Sequence, residues 1–113
     1  MRAKNFDLYV KKKISSFKKV IKVDSDKSLS IRSFLIGSIS NNISVVNNVL
    51  ESEDVKSTIK VCRQLGIKIV KIKSLSYKIY GRGLGSLFPK KSRILNFGNS
   101  GTLARLLIGI LST

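Results

Sequence analysis

The chain has 113 residues, of which 42% are hydrophobic, and this composition supports one modest folded domain or part of a larger one. Its 22 lysines and arginines against 6 acidic residues give a formal net charge of +16, which indicates anionic partners such as nucleic acid, an acidic membrane surface or phosphorylated metabolites. The single cysteine excludes an internal disulfide, and the lack of histidine argues against a zinc site and removes the commonest general base.

The first 20 residues are polar and rich in lysine. We interpret residues 1–20 as a solvated basic arm or an edge strand, with a dedicated nucleic-acid-binding arm as the alternative. They lack the apolar segment of a secretory signal, and the apolar stretch 106–111 is too short to span a bilayer. We therefore expect a cytoplasmic protein that does not contact a membrane.

Residues 21–81 show a regular alternation of strand and helix patterns. Residues 20–23 and 43–46 are predicted strands, and apolar residues four apart predict a helix between them over 28–39. Ser52, followed by two acidic residues, predicts the start of a second helix, and Gly66 predicts its end. Its apolar face includes Cys62, which we expect to be a core residue.

Two further strands are predicted over 67–72 and 76–80, joined by a turn, and they complete a β-α-β-α-β-β unit. Residues 82–93 contain two glycines and a proline, and we interpret them as a connection. Residues 94–113 then predict a short strand over 94–96 and an apolar helix, the start of a second, truncated unit. The fold class is therefore α/β (α+β), with the last helix expected to pack on residues outside this sequence.

Two predicted helix starts carry residues suited to anions. In the segment 26–32 (DKSLSIR), Ser28 and Arg32 share a helix face and Lys27 precedes them. A helix amino terminus with an ammonium, a hydroxyl and a guanidinium suits a phosphate or carboxylate. The alternative is an N-capping serine beside two solvated charges.

The segment 98–105 (GNSGTLAR) is the second such start. Gly101 allows a ligand to approach the backbone closely, Thr102 or the preceding serine can cap the helix, and Arg105 lies on a neighbouring face. The alternative is a capped helix entered through a glycine turn.

These two segments and residues 48–55 (NVLESEDV) together resemble the enolpyruvyl transferase family. The family's amino-terminal portion carries D/S-K-S-x-S-x-R, N-x-L-x-S-x-D-V and G-N-x-G-T-x-x-R, and all three motifs occur here in that order. The resemblance extends from about Lys22 to the end of the chain. Departures are the residues 24–26, where many members have Pro-Gly before the lysine, and Ile31, where many have histidine or asparagine.

The resemblance implies transfer of the enolpyruvyl group of phosphoenolpyruvate to the 5-hydroxyl of shikimate 3-phosphate, with release of phosphate and without a metal or organic cofactor. By position it implies that Lys27 is catalytic and contacts both substrates, and that Ser28 and Arg32 bind shikimate 3-phosphate. It places Asn99 and Gly101 at phosphoenolpyruvate.

Three residues are further candidates for the same site: Asp54, Thr102 and Arg105. The resemblance implies a fold of six such units in two halves, so the complete enzyme is expected to be a monomer and this chain alone to be inactive.

Two other functions stand as alternatives. A family relative that acts on a UDP-sugar pairs the lysine with asparagine and lacks the G-N-x-G-T-x-x-R segment, so Ser28 and the segment 98–105 favour the shikimate branch. A nucleic-acid-binding module fits the charge, but the aromatic residues are few and the lysines are spread along the chain, so we expect no nucleic-acid partner. Salt should weaken nucleic-acid binding steeply, whereas the binding of a substrate in a pocket should be less sensitive to salt.

Overall fold

The computed structural model describes residues 9, 11, 16, 18, 20, 23–89, 91 and 94–113. In this part of the chain, three helices and three strands occur in the order α1 (Lys27–Ile39), β1 (Ile43–Val46), α2 (Glu53–Gln64), β2 (Lys68–Lys73), β3 (Ser76–Tyr80) and α3 (Gly101–Leu111). The described chain is therefore mixed α/β, as the sequence predicts.

The strands form one antiparallel sheet in the order β1-β3-β2. The central strand β3 places Ile79 opposite Ser44 on one side and opposite Ile69 on the other. Tyr77 and Ile79 are both buried, because alternate residues of a strand point to the same face. The turn between β2 and β3 places Leu75 at a φ of 54°.

The helices cover this inner face of the sheet. Helix α1 packs on β3 and α2 on β2, and α3 packs on α1. Gly37 brings α1 close to the sheet, since a Cβ at that position would lie 2.8 Å from Cδ1 of Ile79. Helix α3 contributes Leu103 and Leu107, which have no exposed surface, and each such burial stabilises the fold by about 1.5–3 kcal/mol.

The helix boundaries follow from local hydrogen bonds. The Asp26 carboxylate caps α1 by accepting from the Leu29 N–H at 2.7 Å, and Ser52 caps α2 by accepting from the Val55 N–H at 3.4 Å. Helix α2 ends at Gln64 with Leu65 as its cap, and Gly66 follows with a φ of 93°, the left-handed conformation that glycine adopts without strain.

The structure confirms most predicted elements, with bounds that agree to within one residue at each end. The confirmed elements are α1, β1, β2, β3 and the turn at residues 74–75. The predicted strand over 94–96 is wrong. The Asn96 side chain accepts from the Gly98 N–H at 2.8 Å, and this turns the backbone that the prediction left extended. The predicted strand over 20–23 lies partly outside the described residues, and the described Val20 and Val23 are not in a strand.

Most of the predicted basic arm over residues 1–20 also lies outside the described residues. The connection over 82–93 has no helix or strand where it is described, and Gly83 and Gly85 adopt positive φ there. None of the helices in the described part of the chain is long and apolar enough to cross a membrane.

Candidate functional site

The amino terminus of α1 presents three of the predicted site residues. Asp26 takes the cap position, so Ser28 lies inside the helix and the interpretation of Ser28 as the N-cap is wrong. The half-buried Ser28 hydroxyl makes no hydrogen bond with another described residue, and the exposed Arg32 makes no ion pair with one. Both polar groups are therefore available to a ligand beside Lys27.

An ion pair joins the amino termini of α1 and α2. Lys27 Nζ lies 2.8 Å from Asp54 Oδ2, and the Lys27 side chain is half exposed while that of Asp54 is mostly covered. The hydrogen bond and charge of Asp54 raise the pKa of Lys27 above its usual value, with a smaller contribution from Asp26. Lys27 is therefore held as a cation at the junction of the two helices, and Asp54 is brought into the predicted site.

Ser30 forms a second link at the same junction. Its buried hydroxyl donates to the Asp26 carbonyl oxygen at 2.7 Å and accepts from the Leu50 N–H at 3.0 Å. This bridge ties the first turn of α1 to the loop that enters α2. Ser30 belongs to the motif at residues 26–32, but the sequence offers no reason to assign it a role. A serine at this spacing is equally compatible with a solvated helix residue.

The loop before α3 lies against α2. Gly98 has a φ of 57°, and a Cβ there would lie 2.9 Å from the Ser57 hydroxyl oxygen. Ser100 caps α3, since its hydroxyl accepts from the Leu103 N–H at 3.2 Å, so the cap is Ser100 and not Thr102. The glycine-turn entry that the sequence predicts is therefore present, and it is packed on the second turn of α2.

At the start of α3, the Arg105 side chain folds back toward the helix amino terminus. A Cβ on Gly101 would lie 3.5 Å from Arg105 Nη2. Asn99 and Gly101 are both exposed, and Thr102 is half-buried. The backbone N–H groups of the first turn and the Arg105 cation therefore face the same solvent region, which favours an anion.

The structure thus gathers three helix amino termini through three separate contacts. The Lys27–Asp54 pair and the Ser30 bridge connect α1 to α2, and the Gly98–Ser57 contact connects α2 to the entry of α3. Among the described residues, no hydrogen bond or ion pair directly joins the group at α1 (Lys27, Ser28, Arg32) to the group at α3 (Asn99, Gly101, Arg105). The two groups therefore form two separate clusters of candidate residues, one at the start of α1 and one at the start of α3.

Other reactive groups of the described chain lie away from this surface. Cys62 is buried, as predicted, and burial raises the pKa of its thiol to about 11. The Tyr77 hydroxyl donates a partly buried hydrogen bond to Glu51 Oε1 at 2.6 Å. The described residues contain no group of three or more cysteine, aspartate or glutamate side chains able to hold a metal ion.

Comparison with known proteins gives one consistent family. Residues 11–113 match the family described as EPSP synthase (3-phosphoshikimate 1-carboxyvinyltransferase). A 3-phosphoshikimate 1-carboxyvinyltransferase from a Thermoanaerobacter species is 45% identical over 106 residues, which is 94% of this chain and 24% of that protein. A protein of the same name from Vesicomyosocius okutanii is 46% identical over 93 residues, 81% of this chain and 21% of that protein.

The solved structures agree with the sequence comparisons. EPSP synthase from Acinetobacter baumannii superposes with a TM-score of 0.74 and 39% sequence identity, over 82% of this chain and 21% of that one. The chain spans about a quarter of the length of the curated relatives it matches.

Proposed function

Because this chain belongs to the EPSP synthase family, we propose that it forms the amino-terminal part of a shikimate-pathway transferase, a 3-phosphoshikimate 1-carboxyvinyltransferase. The enzyme would move the enolpyruvyl group of phosphoenolpyruvate to the 5-hydroxyl of shikimate 3-phosphate and release phosphate. The Lys27–Asp54 pair, which joins the amino termini of α1 and α2 while the entry of α3 packs on α2, carries this proposal, because both substrates are anions.

At α1, we assign the shikimate 3-phosphate contacts to Lys27, Ser28 and Arg32. The hydroxyl and guanidinium lie one helical turn apart and make no ion pair or hydrogen bond with described side chains. A guanidinium fork and a hydroxyl suit the oxygens of a phosphate, and the Lys27 ammonium adds a point charge beside them.

At α3, we assign the phosphoenolpyruvate contacts to Asn99 and the Gly101 backbone, together with Lys27 from α1. Gly101 lacks a side chain at the first residue of the helix, so a ligand can approach the N–H groups there. Arg105 and Thr102 border the same surface and support it. Substrate binding on both surfaces would bring the reacting groups together beside Lys27.

The reaction requires a proton on the phosphoenolpyruvate methylene carbon, removal of the proton from the attacking hydroxyl, and departure of phosphate. Lys27 is a fixed cation, so it can stabilise the negative charge of the carboxylate or phosphate and can donate a proton. In the family, further acidic and basic groups occur later in the sequence, so we propose that these 113 residues alone do not turn over. We also propose that the complete enzyme is a cytoplasmic monomer without a cofactor.

A chimera tests the proposal. Residues 11–113 would replace the matching segment of the Thermoanaerobacter relative, and phosphate release would be measured with both substrates. We expect an active chimera, a loss of at least about a hundredfold in kcat/KM for Lys27→Gln, and no change for the exposed Lys73→Gln. A folded, active chimera that keeps its rate in Lys27→Gln would refute the assignment of Lys27.

The same material separates the alternatives. Saturation by a UDP-sugar in place of shikimate 3-phosphate would indicate the other branch of the enolpyruvyl transferases. Binding of a short RNA with a steep salt dependence, and no binding of either substrate, would indicate a nucleic-acid-binding module.

A further inference from the structure

A basic groove lies along α2, between this helix and the hairpin of β2 and β3. Its cavity has a volume of about 710 Å³, within the range of small-molecule sites. Its lining includes Lys56, Lys60, Arg63 and Gln64 on α2, Lys71 on β2 and Tyr77 on β3, together with Ile59 and Lys91. Arg63 lies ten residues beyond the start of α2, which is about 15 Å along the helix.

The cations of the groove are only partly neutralised. Lys71 is paired with Glu51, and Lys56 is paired with Glu53, but the second pair is exposed on both sides and is weak. Within the described part of the chain, no carboxylate lies within ion-pairing distance of Lys60 or Arg63. The groove therefore keeps an excess of positive charge that an anion would neutralise.

Two polar side chains of the groove, those of Arg63 and Gln64, have hydrogen-bonding capacity left for a ligand. Arg63 Nη2 donates to the Ile69 carbonyl oxygen at 2.7 Å, and this fixes the guanidinium while leaving its other N–H groups available. The Gln64 Oε1 atom is buried and accepts no hydrogen bond from the described residues. A buried acceptor without a donor is costly, and rotation of the half-buried Gln64 side chain into the groove would let a hydroxyl or amino group of a ligand satisfy it.

The spacing of the charges selects the shape of the anion. Lys56, Lys60 and Arg63 follow one another at intervals of four and three residues, so they form a row about 10 Å long on one face of α2. A single phosphate would contact one or two of them, whereas a chain of phosphates matches the row. Stacking on Tyr77 adds little, because its ring is 7% exposed and already packs edge-on against Phe34.

We propose that the basic groove binds a small polyphosphate, either free or as the phosphate chain of a nucleotide. This site takes a different ligand from the helix amino termini and does not depend on the function proposed there. Its contacts are the row on α2 with Lys71 opposite, and the Gln64 carbonyl oxygen accepts from a hydroxyl or amino group when the ligand carries one.

Titration calorimetry on the full chain, at physiological ionic strength, tests the proposal with tripolyphosphate, ATP and orthophosphate. We expect saturable binding of tripolyphosphate with one site, and much weaker binding of orthophosphate. Tighter binding of ATP than of tripolyphosphate would identify a nucleotide, and equal binding would identify the phosphate chain alone. Absence of saturable binding for both would overturn the proposal.

A matched pair of double variants separates the groove from the overall charge. Lys60→Gln with Arg63→Gln removes two charges from the groove, and we expect it to weaken tripolyphosphate about tenfold or more. Lys73→Gln with Lys78→Gln removes two charges outside the groove, and we expect less than about a threefold effect. Equal losses of tripolyphosphate affinity in the two double variants would overturn the proposal. So would a short RNA that binds more tightly than tripolyphosphate and is weakened equally by the two double variants.

The circular dichroism spectrum checks that each variant folds. If the Arg63 change unfolds the chain through loss of its bond to Ile69, Lys60→Glu and Lys73→Glu repeat the comparison at two exposed positions. A loss of affinity confined to Lys60→Glu would support the groove, and equal losses would refute it.

Discussion

Replacing Ser30 with alanine tests whether its hydroxyl connects α1 to the loop before α2. The hydroxyl accepts from the Leu50 N–H at 3.0 Å and donates to the Asp26 carbonyl oxygen at 2.7 Å. After the substitution the Asp26 oxygen still accepts from the backbone N–H of residue 30, whereas the Leu50 N–H loses this partner. The main cost is therefore one unsatisfied donor.

The magnitude follows from two opposing terms. A fully buried unsatisfied donor costs about 1–3 kcal/mol, and the cost here lies at the lower end of that range because Leu50 is 36% exposed and its bond to Ser30 is only partly buried. The higher helix propensity of alanine offsets about 0.5 kcal/mol. We therefore expect Ser30→Ala to lower the free energy of unfolding by about 0.5–1 kcal/mol, measured by urea denaturation with an unchanged m-value.

Ser33 provides a matched control on the same helix. Its hydroxyl donates only to the Leu29 carbonyl oxygen at 2.8 Å, one turn back, and makes no link to another element. We expect Ser33→Ala to change the free energy of unfolding by less than about 0.5 kcal/mol. If the two variants are equally stable, the bridge contributes nothing and the reasoning is refuted.

Two further changes test the loop before α3 and the edge of the core. Gly98→Ala should destabilise the chain more than Gly85→Ala does. Both glycines have positive φ, but only a Cβ at position 98 would meet another residue, the Ser57 hydroxyl oxygen at 2.9 Å. Equal unfolding midpoints of the two variants would contradict this contact. Lys71 and the Tyr77 hydroxyl lower the pKa of Glu51 below 4.5, so its stabilisation is present above that pH and is lost as the pH falls through the lowered value. Glu51→Gln should therefore flatten the fall in melting temperature on acidification, and an unchanged pH profile would show that Glu51 adds no stability.

Much of the fold could be predicted because the local signals agree with the tertiary packing. The apolar repeat over α1 and the capped start of α2 at Ser52 have direct physical causes in side-chain periodicity and hydrogen bonding, and both elements occur where expected. The prediction of a strand over 94–96 failed because two adjacent apolar residues carry little information, and the Asn96 side chain decides the local backbone.

The contacts that assemble the candidate site were not predictable from one sequence. Motif spacing placed Lys27 at a helix start, but spacing does not show which carboxylate comes within 2.8 Å of it. The contact between Gly98 and Ser57 joins residues 41 positions apart and leaves no periodic signal in the sequence. Such contacts depend on how α2 and α3 pack, which is a tertiary property.

The ion pair at the junction of α1 and α2 limits the chemistry that Lys27 can perform. Its folded pKa is raised, so the stabilisation from the pair is present below the ordinary lysine pKa of 10.5 and is lost only as the pH rises through the higher, folded value. Lys27 is therefore protonated throughout the physiological range, and in the ligand-free chain it is a cation rather than a base. In the reaction proposed above, the proton of the attacking hydroxyl would then go to a group other than Lys27, and the Lys27 ammonium would act by stabilising negative charge or by donating a proton.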